Sequence, residues 1–513
     1  MTATLEELLT QAHASNEAKV VAECEVRIGG VDPLGLRQTN FDMMDEVLPG
    51  LNNVARHVRP FILMTWAWRR CNQLVREKGS ASVKEMRDFV DRIETIYAWS
   101  QFVVDPGTDL PGDQALAPLL SAESYTFSGK AWENFRDTRR VSTGLIAAVN
   151  YGPGLRTMRW IADLSTLPGS GIAEAGAYKA NPEEDPALDA ALDAFEAILG
   201  EHINHPAFSA FGKVTVELDE VREWGSLWKL DELTEIGKNA AWRRITAGDG
   251  LVTRSKGLQL IQFATQLLPD DELKANEVRR TMATVDGIVF PEELVPFARR
   301  WRRMQIRQVF RLALDGLLYW CQGELLNGPL TTRQLAARLL DEAAYDWDRE
   351  DCEQWLADFL ISHDPVEHLD KLSESLRSTE DFTRAFVGAM RFCMAEAPEE
   401  AQAFERSDRL PLAKAVCEWR QWCRLAPIEL ISNIIEGWIF AQHTYWSVGR
   451  GLQDARGDGK MILRLRLFID EGGWRLAQGI GQGSPPNATP DRLETALSLL
   501  GECDQLAVTS SAS

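Results

Sequence analysis

The sequence offers several short groups of titratable side chains that could do chemistry if they converged. His202 and His205 stand three residues apart, and His363 and His368 flank Asp364, Pro365 and Glu367. Either pair could begin a metal site, but a zinc-type centre needs three or four convergent ligands. Pro365 also breaks regular helical spacing in the second group, and His363-Asp364 alone is the smallest fragment of a metal-dependent phosphohydrolase signature. Asp270, Asp271, Glu272 and Lys274 carry the letters of a nuclease motif. That chemistry needs the acid and the Glu-x-Lys pair on separate strands, and here all four fall within five residues. Gly169-Ser170-Gly171 with Gly176 resembles a phosphate loop but lacks the preceding buried strand and a Gly-Lys-Ser/Thr ending. No Gly-x-Ser-x-Gly elbow or Cys–His catalytic context occurs. The expectation is therefore no catalytic residue, no metal ligand and no cofactor.

Cations beside aromatic rings are the second kind of candidate. From Pro296, Arg300, Arg303, Arg307 and Arg311 recur at helical spacing, with Ile306, Val309, Phe310, Ala313 and Leu317 on the other face. Arg299, Arg302 and Trp301 widen the positive region. Such a stripe suits phosphates or an acidic partner, or ion pairs with acids on neighbouring helices. Near the N-terminus, Arg56, Arg59, Arg69 and Arg70 lie among Phe61, Trp66 and Trp68, a mixture suited to cation–π contact. Near the C-terminus, Arg464 and Arg466 alternate with Leu463, Leu465 and Leu467 across Met461–Ile469. This reads as a strand with one charged face, like the wing of a winged helix. The Asp470–Gly473 turn and a return strand from Trp474 would complete a hairpin.

These groups need elements to hold them, and most of those elements read as helices. Ser82 with Glu85 forms a capping box ahead of Met86, Phe89, Val90, Ile93, Ile96 and Tyr97. Asp185-Pro186 starts another helix, Thr331 with Gln334 caps a third, and Asp348 with Asp351 starts a fourth. Leu330–Leu340 followed by Asp348–Leu360 resembles a helix-turn-helix, but the second helix is too acidic for a DNA groove. Pro427 opens a long apolar helix. Residues 426–446 hold Glu429, Asn433, Glu436 and His443, too polar to span a bilayer. A helix from about Pro490 closes the chain.

The fold expected is mainly α, multi-domain, with a small C-terminal α+β, winged-helix-like module. Gly/Pro-rich stretches divide it into a helical domain at 1–166, a linker at 167–186, a helical domain at 187–328, a third at 329–450 and the terminal module at 451–513. A chain of 513 residues should form roughly two to four domains. Hydrophobic residues at 45% and charged residues at 26% fit packed domains rather than disorder. The formal charge of −21 disfavours non-specific nucleic-acid binding. Eight cysteines without a Cys-x-x-Cys pair read as free thiols in a reducing compartment. With no basic and apolar leader at Met1–Glu7, a cytoplasmic, non-membrane protein is expected.

Three groups of residues carry a resemblance: Asp32-Pro-Leu-Gly-Leu, then Leu48-Pro-Gly-Leu-Asn-Asn-Val-Ala-Arg-His-Val-Arg-Pro-Phe with Trp66-Ala-Trp-Arg-Arg, and, near the end, Leu463–Phe468, Gly473–Leu476 and Pro490–Leu497. Together they resemble an uncharacterised group of bacterial proteins found near mobile elements and phage-defence genes. In that group a Leu-Pro-Gly turn leads into an Arg/aromatic helix. The resemblance implies a non-enzymatic sensor, scaffold or regulatory subunit of an anti-phage system, touching a separate effector protein or a phage component. Two alternatives are a nucleic-acid binder using the arginine-rich helix, and a metal-dependent nuclease or hydrolase with a site dispersed in sequence.

Overall fold

In the computed structural model the chain is mainly α-helical, with four short two-stranded pairings among the described residues. The structure describes residues 24–26, 32–246, 248, 250–269, 274–284, 287–342, 352–357, 359, 362–378, 380–397, 409–458 and 461–506. The acidic group Asp270, Asp271 and Glu272, and residues 348–351, 358 and 360 of the expected Asp348–Leu360 helix, lie outside these; within that span Cys352–Ala357 is helical. Among the described residues no helix is long and apolar enough to cross a membrane.

The chain divides into two compact units. The larger comprises 40–305, 364–366 and 489–513; the other comprises 1–39, 306–363 and 367–488. The division differs from that suggested by the Gly/Pro-rich stretches. Residues 167–186 do not separate two bodies, because Tyr178–Ala180 pairs antiparallel with Ile161–Asp163 inside the larger unit. Asp163 accepts the Gly176 N–H at 2.9 Å, and Arg87 donates to the Gly176 carbonyl at 3.2 Å. The glycine-rich segment is thus a pinned surface loop. The hairpin and the terminal helix expected at the C-terminus are both present, but 489–513 counts with the larger unit and the hairpin with the other.

In the larger unit, Arg59–Lys78, Val83–Val104, Pro186–Leu199 and Leu218–Leu227 pack around a core rich in indoles. The capping box at Ser82 and Glu85 forms as the sequence requires. Trp66 stacks edge-on against Phe195 at 5.3 Å, and Phe208 against Trp224 at 4.8 Å, geometries favoured by the ring quadrupoles. The Val83–Val104 helix is enclosed enough to bury three charged residues. Arg92 donates to the carbonyls of Ala207, Ala210 and Gly212, Glu94 meets Arg139 at 2.5 Å, and Asp91 meets Arg140 at 3.0 Å. Burial raises the Asp91 carboxyl to about 6 against the pull of Arg140 and Arg136.

The other unit is built on the C-terminal part of the Val295–Glu324 helix, with Thr332–Glu342, Phe382–Glu396 and Leu412–Trp422 around it. Pro427 opens a helical run that passes through a π-helical segment, Ile434–Ala441, before continuing to Asp458. The wider turn shifts the phase of the helix. Beyond it, Gln442 reaches the Leu34 carbonyl and His443 the Pro33 carbonyl, each at 2.9 Å.

Asp32-Pro-Leu-Gly-Leu forms a tight turn in this unit. Asp32 accepts the N–H groups of Leu36 and Arg37 at 2.9 and 3.1 Å, and Leu34 and Leu36 are fully buried. Gly35 adopts φ +73°, and a Cβ there would enter the Trp446 indole. Both the left-handed backbone and the lack of space demand glycine. Gly35→Ala is expected to lower stability by about 2–4 kcal/mol, read as a shift of the urea midpoint; an unchanged midpoint would refute this account of the turn.

Candidate functional site

The arginine-striped helix turns Arg303, Arg307 and Arg311 inward, whereas Arg300 and Arg302 are half-buried and Arg299 is exposed. In the larger unit, Arg303 pairs with Glu46 at 2.5 Å and Arg300 lies over the Phe297 ring at 5.0 Å. Burial raises the Glu46 carboxyl despite Arg303 and Arg300 beside it. Trp301 is fully buried and donates to the Arg279 carbonyl; Arg279 in turn holds Asp491 at 2.5 Å. Burial opposes ionisation of Asp491, but Arg279 and Gln305 outweigh it and hold the carboxyl below its ordinary value.

In the other unit, Arg307 is completely buried, and its fork donates to the Leu410 and Arg409 carbonyls at 2.8 and 2.7 Å. Leu410 itself has φ +46°. Arg311 pairs with Asp315 at 2.5 Å and donates to the Asn487 carbonyl. Burial lifts Asp315 to about 6, against the pull of Arg311 and with Asp32 and Arg466 close enough to interact. Arg409 lies 4.8 Å over the Trp446 ring and donates to the Gly35 carbonyl at 3.0 Å. His443 completes the group: its Nδ1 donates to the Pro33 carbonyl and its Nε2 accepts the Arg466 N–H, both at 2.9 Å. One imidazole therefore bridges two segments distant in sequence. This cluster can hold backbone carbonyls and carboxylates in a fixed arrangement; its partners are parts of the protein.

The other candidates are placed with equal clarity. Trp66 and Trp68 belong to the core, the first donating to Glu196 at 3.1 Å and the second edge-on to Tyr178. Arg59 is buried over the Phe195 ring and donates to the Lys229 carbonyl at 3.0 Å. Arg69 pairs with Asp193 and Glu196. Arg56, half-exposed, pairs with Asp109 and Glu494. Asn52 accepts the N–H groups of Val54 and Ala55, whereas the Arg59–Lys78 helix has no side-chain cap at its start. Glu502 holds the Val58 N–H at 2.7 Å and the His57 ring at 2.6 Å instead. Ser498 donates to the Arg56 carbonyl, and Arg492 to the Leu48 carbonyl. The Leu-Pro-Gly segment and the terminal helix are therefore one joint.

The histidine groups do not converge. His202 and His205 each face a glutamate, Glu223 and Glu220, and His205 caps the short helix after it. His363 meets Glu396, His368 lies against Phe392, and Asp364 pairs with Arg280. Among the described residues no group of three or more His, Cys, Asp or Glu side chains could hold a metal ion. Of the seven cysteines whose side chains are described, none is in a disulfide; six are buried and Cys417 is exposed, although its helix reads as apolar around it.

The C-terminal hairpin differs from a basic wing. The expected single strand is broken: Met461–Leu463 pairs parallel with Cys24–Val26, and Leu467–Asp470 pairs with Gly473–Leu476. Arg464 and Arg466 lie in the gap, half-buried. Its exposed residues include the apolar Phe468 and Ile469, 39% and 62% exposed, beside Glu471 and Arg475. The hairpin's arginine, Arg475, is paired with Asp470 and lies 5.1 Å over the Phe468 ring. Sequence reading missed these two side chains because it followed the charged alternation and gave no weight to adjacent apolar residues before a turn.

Two measurements check the buried cluster. Arg307→Met strands two buried carbonyls and is expected to cost about 3 kcal/mol, with Arg307→Lys recovering only part because an ammonium cannot reproduce the fork; wild-type stability in Arg307→Met would contradict this. Burial lowers His443 from 6.5 to about 4. Between those values the unfolded chain binds a proton that the folded chain does not, so the neutral ring's contribution is full above pH 6.5 and is lost as pH falls towards 4. Urea midpoints should show this acid-side loss in the wild type and not in His443→Gln; the same pH slope in both would remove His443 from the explanation. In comparisons with known proteins, no family model, no curated protein and no solved structure matches the chain.

Proposed function

We propose that the protein is a sensor, scaffold or regulatory subunit of a bacterial anti-phage system, acting by contact with a separate effector protein. The defence setting rests on the resemblance carried by the Asp32, Leu48–Phe61 and Leu463–Leu497 segments. The mode of action rests on the hairpin. A wing that grips a phosphate backbone offers cations outward, whereas this one offers Phe468 and Ile469 and folds its arginine over the aromatic ring. Adjacent exposed apolar groups on a hairpin suit a protein surface, where such anchors dominate binding energy. The inward pairing of the helix arginines adds support, since it leaves the acidic surface charge in place against nucleic acid.

Co-expression with the products of adjacent genes, followed by size-exclusion chromatography and phage plating, tests this reading. A stoichiometric complex and protection from phage are expected, both lost in the double variant Phe468→Asp, Ile469→Asp while the circular dichroism and melting temperature stay unchanged. A complex indifferent to those substitutions would sink the hairpin assignment. Metal-stimulated cleavage of DNA or RNA by the isolated chain would sink the non-enzymatic reading.

A further inference from the structure

A recess of about 490 Å³ opens in the smaller unit beside the Phe382–Glu396 and Leu412–Trp422 helices. Its apolar lining comes from Leu356, Met394 and Trp419, and its charged lining from Arg391, Arg420, Arg424 and Glu353. Three cations against one anion leave two positive charges on a small concave surface of a chain whose formal charge is −21. The cations are not spent elsewhere in the way of the helix stripe. Among the described residues, neither Arg420 nor Arg424 has a carboxylate within ion-pair distance. Arg391 is half-buried and anchored through Nη1 on the Phe359 carbonyl. On the floor, a hydrogen bond to Cys352 first, with Arg391 helping against burial and Glu353, holds the Cys423 thiol below its ordinary value.

We propose that this recess binds a phosphorylated small molecule, with the phosphate on Arg391, Arg420 and Arg424 and an apolar body over Leu356, Met394 and Trp419. The charge fits: one phosphate monoester carries about −1.5 to −2 at neutral pH, matching the two uncompensated cations, whereas a single carboxylate carries half of that. Guanidinium forks match phosphate oxygens two at a time, which lysines would not. The size fits as well, since small-molecule sites run from about 300 to 1,000 Å³. An apolar floor under a cationic rim favours a molecule with both parts, the chemistry of a nucleoside phosphate. The site is independent of the hairpin contact, and either can fail without the other.

The test is isothermal titration of the full chain with AMP, ATP, inorganic pyrophosphate and citrate. A nucleoside phosphate is expected to bind with a dissociation constant below about 1 mM, more tightly than pyrophosphate, which lacks the apolar body, and more tightly than citrate. Arg420→Ala with Arg424→Ala, both exposed and outside the core, is expected to weaken that binding about tenfold or more with an unchanged melting temperature. Arg391→Lys keeps the charge and is expected to weaken it less. Pyrophosphate binding as tightly as ATP would overturn the apolar half of the assignment, and citrate binding as tightly as ATP would overturn the phosphate half. No binding of any probe, or binding untouched by the double substitution, would overturn the site.

Discussion

Arginine buried in an acidic protein is the constraint on which the smaller unit depends. A guanidinium leaves water only if its donors find acceptors, and Arg307 finds them in two consecutive backbone carbonyls, at Arg409 and Leu410. That fixes a segment whose Leu410 sits at positive φ, and it brings Arg409 to where it can cover Trp446 and hold the Gly35 carbonyl. Arg311 does the same work towards Asn487 and Asp315. The helix supplies rigidity, and its cations decide which distant loops pack against it. Because the acceptors are mostly carbonyls, lysine or an apolar side chain would not serve in their place.

This bears on why certain segments stand out in the sequence. Asp32-Pro-Leu-Gly-Leu is bridged to Arg466 by His443, and the Leu-Pro-Gly segment is joined to the terminal helix through Glu502, Ser498 and Arg492. In each unit an N-terminal motif and a C-terminal motif close on one another. Their residue choices answer to turn geometry and buried hydrogen bonds, which explains a strong pattern without catalytic side chains in it. A contact function then falls to residues outside those joints, of which Phe468 and Ile469 are the plainest.

Much of the fold was legible in the sequence for local reasons. The capping box at Ser82, the Thr331–Gln334 cap and Pro186 at a helix start all act within one turn, and all appear as read. The long apolar helix after Pro427 was legible too, but its π-helical segment was not, since that depends on where His443 and Gln442 must reach. Pairing of Cys24–Val26 with Met461–Leu463 joins strands more than four hundred residues apart, beyond any periodicity argument. The direction of the arginine stripe was equally hidden: spacing shows that the cations share a face, and only the packing shows that the face is inside. The acceptors Arg409, Leu410 and Asn487 leave no mark in sequence because they act through backbone oxygens. The recess cations were overlooked for a related reason, with Arg391 distant from Arg420 and Arg424 along the chain.

Hydrogen–deuterium exchange on Arg307→Lys tests the central claim, that the buried arginines hold backbone and do not serve as a contact surface. Faster exchange of the amides at 409–412 and 32–37 is expected, with nucleic-acid retention the same as in the wild type. Unchanged exchange in those segments, together with loss of salt-sensitive nucleic-acid binding, would contradict it.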